Sequence, residues 1–553
     1  MKSRRFVGSC SPSQSRVREV ALGCALALPS CSAPATPING VIVDKNGTPV
    51  ADAHVRVQGT NLVARSGRGG EFRIALPPGS PGATVAAWKE GYFNGGARLS
   101  SGRGESKIVL LPLPREDDSQ HAFVSARGVG SEACGRCHPA LLSEWETSAH
   151  ATSATNALFR ASYAGTDEHG EATGGPGYRV DFPNAAGNCA TCHVPALAYD
   201  APFATRADQA TGAAAEGVLC DFCHKIRASK VDDTGGRPGV LSIELVRAKG
   251  GENVLFGQLD DVIARRDSFL PLYRQSSYCA PCHNGSFWNV RAYSEFEEWA
   301  ASSYAKSKVE CQDCHMKAKG GPARAMALIE EGGILRNPST LSSHAVLGTA
   351  DHEFLRSSIA LQEKSATEGA TVRVRVSIEN VAAGHHVPTG SPMRNMILVV
   401  EAHDADGHAL ALVSGGRVPE WAGRGSPGAA PDPCDLAGVA GKGFAKVLND
   451  RIEYPADRPR GRSFAAAFPT PYWRPAAVAS DTRIPAGETD VSDYAFDLSS
   501  AAPGRVTIST RLIYRRTFRT WGRLGTLQEN DLELASSESR LAWGVATTKG
   551  ERP

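Results

Sequence analysis

The sequence predicts a multi-domain protein: a small N-terminal β-sandwich, a central segment that is mainly irregular or α-helical, and a C-terminal β-sandwich. Three observations carry this. At 553 residues the chain exceeds what one hydrophobic core usually supports. Short apolar/polar alternations punctuated by Gly, Pro and Asn occur near the N-terminus and again beyond residue 368. Between them, ten of the fourteen cysteines are gathered into five Cys-x-x-Cys-His pentapeptides.

Residues 1–37 read as a signal and linker. Lys2, Arg4, Arg5, Arg16 and Arg18 precede the apolar run from Val20 to Leu28, which is too short to span a bilayer and has the form of an export signal. Leu28-Pro-Ser-Cys31 resembles the lipobox of bacterial lipoproteins, so Cys31 is a candidate lipidation site; the alternative is an ordinary cleaved signal with Cys31 as a bystander. The expected location is the periplasm or the outer membrane or cell surface of a bacterium. Membrane attachment is expected only through the lipid, because no other apolar stretch approaches about 18 residues.

Residues 38–114 alternate over Ile38 to Val43, Ala53 to Val57 and Glu71 to Ile74, with turns at Asn46-Gly47 and Gly69-Gly70. The motifs Gly40 to Val50, Ala53 to Val57, Gly70 to Phe72 and Gly91-Tyr92 resemble the carboxypeptidase regulatory-like, transthyretin-like domain. That resemblance implies an adhesion or positioning module without peptidase activity. His54 stands alone there and is expected to face solvent or pack.

Residues 115–367 hold Cys134-Gly-Arg-Cys137-His138, Cys189-Ala-Thr-Cys192-His193, Cys220-Asp-Phe-Cys223-His224, Cys279-Ala-Pro-Cys282-His283 and Cys311-Gln-Asp-Cys314-His315. Two thiols two residues apart can form thioethers with the two vinyl groups of one porphyrin, while the adjacent imidazole meets the iron. Chance yields the pattern about 0.01 times in a chain of this composition. Zinc is the alternative, but its ligands come as separated half-sites, and a histidine directly after the second cysteine is not their spacing. The cofactor expectation is therefore five covalently bound haem c groups in a multi-haem cytochrome c domain. Motif spacings of 55, 31, 59 and 32 residues alternate long and short, which predicts two close haem pairs.

Residues 368–553 are β-rich again, with strands expected over Val372 to Ile378, Met396 to Ala402, Arg505 to Thr510 and Arg511 to Tyr514. The Gly- and Pro-rich stretch 423–433 reads as a surface loop leading to Cys434. A net charge of +2 without a long basic run leaves no electrostatic footprint for nucleic acid.

What fills the second axial position of each iron separates relay from catalysis. Beyond the five motif histidines stand His54, His121, His150, His169, His344, His352, His385, His386, His403 and His408. His403 and His408 flank the turn at Asp404 to Gly407 and are expected in solvent. His150, His344 and His385 are the foremost candidates as additional iron ligands; His386 competes with His385, and His121, His169 and His352 rank below them.

The stretch from Gly130 to about Phe518 resembles the tetra- and pentahaem cytochromes of the cytochrome c554 type. The resemblance rests on Ser131-Glu-Ala-Cys, Glu144-Trp, Ser148-Ala-His150, Gly217-Val-Leu-Cys, Ser277-Tyr-Cys, Cys311-Gln-Asp-Cys-His-Met and Gly384-His385-His386-Val-Pro-Thr-Gly. It implies stacked, mostly bis-histidine haems, with His150, His344 and His385 as distal ligands and the C-terminal sandwich capping a haem. Similar proteins often carry a histidine about ten residues before the fourth motif; none stands between His224 and His283 here, so one distal position near Asp267 is in doubt.

The leading expectation is thus an exported pentahaem electron carrier serving redox protein partners, either other cytochromes or a quinol-linked donor. A multi-haem oxidoreductase acting on nitrogen or sulfur compounds at one open haem is the alternative. A third reading is a subunit of a homo-oligomer or a larger surface cytochrome assembly.

Overall fold

A computed structural model describes residues 36–76, 82–98, 106–130, 133–231, 236–249, 253–263, 267–423, 435–450, 464, 467–526 and 531–544. The stretch expected to be an export signal, Cys31 and Cys434 lie outside the described residues.

The N-terminal part forms two sheets over one core. Strand Thr36–Asp44 sits between Glu71–Leu76, antiparallel, and Ser106–Leu110, parallel. The second sheet orders Val63–Arg65, His54–Val57, Thr84–Trp88 and Gly95–Arg98. Strict alternation along Glu71–Leu76 turns Phe72, Ile74 and Leu76 inward to meet Val55, Val57 and Val85. Gly47, at φ +84°, closes the first turn, and Asp44 Oδ1 accepts from the backbone of Asn46 and Thr48. His54 packs edge-on against Trp88 at 5.5 Å.

This sandwich is bonded to the central segment. Arg56 pairs with Asp260 at 2.6 Å, and Asp261 accepts from the Gly59 backbone and from Arg336. The Asn94 amide donates to Asp267 O. The Asp267 neighbourhood is thus part of a domain joint: Asp267–Phe269 runs parallel to Leu255–Gly257 beneath the N-terminal sheet.

The central segment is built from turns, short two-stranded sheets and short helices, the longest helices being Pro139–Glu146 and Ala157–Ala164. Its cores are small and rich in alanine. Buried ion pairs hold it together: Arg247 bridges Asp117 and Asp200, and Lys225 pairs with Asp221, which also accepts from His121 at 3.1 Å.

The C-terminal sandwich stacks a four-stranded sheet, ordered Ile359–Glu368, Thr371–Asn380, Thr489–Asp497 and Leu412–Ser414, on a five-stranded one. The latter runs Ala476–Asp481, Gly441–Asp450, Asn395–His403, Gly504–Arg515 and Asp531–Trp543. The two strands expected from Arg505 are one: Gly504–Arg515 pairs with Asn395–His403 over Thr507 to Arg515 and, with a register shift between Leu512 and Ile513, with Asp531–Trp543 along its whole length. Asn395–His403 is buried on both faces because Ile397 and Val399 pack under Trp421, Trp473 and Trp521, in a cluster that also takes Ala161 of the central segment. Asp181 fastens the same joint, accepting from Trp473 Nε1 at 2.8 Å and from Arg474 Nε and Nη2.

Candidate functional site

Each Cys-x-x-Cys-His motif occupies one helical turn, as in Cys134–Cys137, Cys220–Cys223 and Cys311–His315. Residues three apart share a helix face, so both thiols of a motif emerge on one side with the histidine directly following. None of the ten motif cysteines is joined in a disulfide, and all are half-buried. Among the described residues no three or more His, Cys, Asp or Glu side chains converge to hold a metal ion, so the zinc alternative finds no completed ligand set.

The motif histidines are oriented alike. Nδ1 of His138, His193, His224 and His315 bonds to the carbonyls of Met326, Ser153, Phe256 and Leu347 at 2.8, 3.0, 2.6 and 2.6 Å. A carbonyl only accepts, so Nδ1 carries the proton and Nε2 keeps its lone pair, the arrangement typical of metal-ligating histidine. His283 replaces the carbonyl with a carboxylate, its Nδ1 facing Glu295 Oε1 at 3.9 Å. Burial opposes charge on His283, but Glu295 outweighs it and lifts the pKa above the usual value. Burial holds His150, His193, His315 and His344 down to about 4, keeping these rings neutral at pH 7.

Three of these imidazoles face a second one. His224 and His344 lie 6.4 Å apart between centroids with planes 17° apart, His315 and His385 6.2 Å apart at 17°, and His150 and His283 6.3 Å apart at 53°. An ion bridging two imidazole nitrogens at roughly 2 Å each separates the ring centroids by roughly 6 Å. The residues therefore fit haem at these three motifs, where each pair of imidazoles would hold the iron and the haem would supply one-electron exchange.

The second histidine of each pair is held by its own support. His344 is positioned by Glu144, whose buried carboxylate accepts from the His344 amide at 2.8 Å and from Ser343 Oγ, and meets Lys319 and Arg324 at 3.0 Å. Sequence reading noted Glu144 only as part of a motif; a buried glutamate two residues before a helix end was the signal. His385 stands on a turn closed by Asn380, which donates to His385 O and accepts from the Ala383 amide. His386 points elsewhere, its amide donating to Glu298 and its ring lying 3.6 Å from that carboxylate.

His138 and His193 have no imidazole across from them among the described residues. His193 stacks face to face on Phe159 at 3.6 Å. The lower-ranked histidines are engaged or exposed: His121 bonds Asp221, His169 lies in solvent beside Glu168, and His352 opens the exposed start of helix His352–Ser357. A second imidazole thus lies near the histidines of the third, fourth and fifth motifs, near the fourth through His150, and none among the described residues lies near those of the first and second.

Sulfur contacts give the neighbourhood of the motifs. Cys134 lies near Cys220, Cys192 near Cys282, and Cys279 near Cys311. The first motif therefore neighbours the third, the second the fourth, and the fourth the fifth. Of the motifs separated by the shorter spacings, the fourth and fifth show such a contact, whereas the second motif turns to the fourth.

Residues 133–225 match the family described as cytochrome c554 and c-prime. Among solved structures, a penta-heme cytochrome c552 from Thermochromatium tepidum is similar, with 22% sequence identity, a TM-score of 0.50, and coverage of 75% of this chain and 99% of that one. The mu homology domain of Fcho1 from Danio rerio, with bound Eps15 peptide, aligns at 8% identity over 34% of this chain and 44% of that one, with a TM-score of only 0.12. No curated protein matches the chain. The central segment is thus similar in sequence to the cytochrome c554 family, and the fold is similar to that of a penta-heme cytochrome.

Proposed function

We propose that the chain is an exported pentahaem c-type cytochrome that passes electrons between redox protein partners through haems on all five motifs. The observation that carries this is the set of three imidazole pairs at 6.2–6.4 Å, each joining a motif histidine to a distant one. Iron ligated on both faces stays low-spin and exchanges electrons without binding substrate. Continuity of the motif contacts, first to third and second to fourth to fifth, supports a conducting array. Charge interactions of Cys223 with Cys279 and Cys282 support a link from the third motif to the fourth. The export signal and the candidate lipid at Cys31 fit this reading, since covalent haem attachment takes place outside the cytoplasm.

A second reading is favoured by His138 and His193: an oxidoreductase whose small nitrogen- or sulfur-containing substrate binds an iron with only one protein ligand. Electron paramagnetic resonance of the oxidised protein separates the two. The carrier reading expects low-spin signals for the third, fourth and fifth haems and no response to nitrite or hydroxylamine at the remaining irons. Wholly high-spin iron would overturn it, and a saturable change of a high-spin signal on adding either compound would establish the enzyme.

A further inference from the structure

Behind His385 the chain makes a tight loop, Thr389 to Arg394, that places cationic and hydroxyl groups with little protein to bind. Gly390 is at φ +84°, and a Cβ there would meet Arg394 Nη1 at 2.2 Å and lie 3.5 Å from Glu295 Oε1, so glycine is needed for the guanidinium to fold back across the loop. Arg394 donates to Thr389 O at 3.1 Å and has no carboxylate within ion-pair distance among the described residues. Beside it is Tyr514, only 4% exposed, whose hydroxyl has no hydrogen-bond partner; the Thr389 hydroxyl is likewise buried and unmatched. Arg516 brings a second guanidinium to Tyr514 and donates to Thr349 O, two residues beyond the carbonyl that orients His315.

Buried hydroxyls without partners and a cation without its anion are costly unless a ligand completes them. What completes this set is an acceptor-rich anion able to take the Arg394 guanidinium and two hydroxyls, which is the chemistry of a carboxylate. Each haem carries two propionate carboxylates, and the loop lies between the fourth motif, through Glu295 and His283, and the fifth, through His385 and Thr349.

We propose that Arg394, Tyr514 and Thr389 form a carboxylate cradle that binds a propionate of the haem held by the fourth or fifth motif. The inference rests on haem attachment at these motifs. A nearby cation favours the ferrous state, so the cradle raises the potential of that one haem.

The test uses holoprotein whose mass shows five haems; a protein lacking haem would count against the proposed function and not against the cradle. Spectroscopically resolved redox titration of Arg394→Met is expected to lower one haem's potential, changing its ferrous-to-ferric ratio at fixed potential by about tenfold, equivalent to about 1.4 kcal/mol. The redox-linked carboxylate band in the infrared difference spectrum is expected to move. Arg394→Lys should restore part of the shift, and Tyr514→Phe, which removes one hydroxyl alone, should move the same haem less. Unchanged potentials and an unchanged carboxylate band would overturn the proposal. So would a saturable response of the parent protein to added nitrite or phosphate that Arg394→Met abolishes without moving that band, since the cradle would then hold a free oxyanion.

Discussion

The imidazole of His385, carried on the C-terminal sandwich, lies 6.2 Å from that of His315 in the last motif, with the two planes 17° apart. The sandwich therefore takes part in the site that the motifs begin. His385→Met is expected to change the ligand field of one haem only, replacing one bis-histidine low-spin signal with a different one, while His386→Gln leaves that signal in place. Paramagnetic resonance of the two variants checks this; equal effects from both would reverse the assignment of the ligand.

Glu144 makes a related prediction for the third motif. Glu144→Ala removes the acceptor for the His344 amide and for Ser343, leaving Lys319 and Arg324 without their shared carboxylate. The cations are partly solvated, so the expected loss of stability is about 2 kcal/mol. Glu144→Gln, which keeps a carbonyl acceptor, should retain the His224–His344 signal better than Glu144→Ala. Denaturant unfolding and paramagnetic resonance read the two effects separately.

The joint between the central segment and the C-terminal sandwich depends on Asp181. Its side chain is 3% exposed and that of Arg474 1%. Asp181→Ala removes the carboxylate that accepts from a buried guanidinium and should destabilise by about 3–5 kcal/mol. Asp181→Asn, which still accepts from Trp473, should cost less. Thermal or denaturant unfolding ranks the two variants, and equal stabilities would show that the joint is held by the tryptophan cluster alone.

Acid should loosen the Asp117–Arg247–Asp200 bridge. Burial raises the Asp117 pKa, but bonds from Arg247 and the nearby His121 outweigh it, so the net shift is downward. A depressed folded pKa means a stabilisation fully present above the ordinary aspartate value and lost as pH falls through the folded one. Besides Arg247 and His121, the charged groups about the bridge are Asp200 and the Lys249–Glu116 pair. Asp117→Asn should lower stability by about 1 kcal/mol at pH 7, with the difference from the parent shrinking below about pH 4. A difference that stays constant across that range would show that the carboxylate charge contributes nothing.

The motifs and the β character of both ends were legible because covalent chemistry and period-two alternation are local properties of sequence. His150, His344 and His385 could be singled out, but their partners could not: each pair spans the fold, and only packing brings His150 to the fourth motif. The first strand of the C-terminal sandwich, Ile359–Glu368, begins before the expected boundary at 368 because its outer half carries Glu, Lys, Ser and Thr and shows weak apolar alternation. It is recognisable only from its pairing with Thr371–Asn380 along its whole length. The neighbourhood of Asp267 drew attention for lacking a histidine, and its role is a joint, set by Asn94 and Asp267 meeting across domains.

The most direct test of the account is the intact mass of the protein matured outside the cytoplasm. Five covalent haem additions are expected, and each Cys→Ala pair in a motif should remove one. Fewer than five additions, or bound zinc in place of haem, would contradict it.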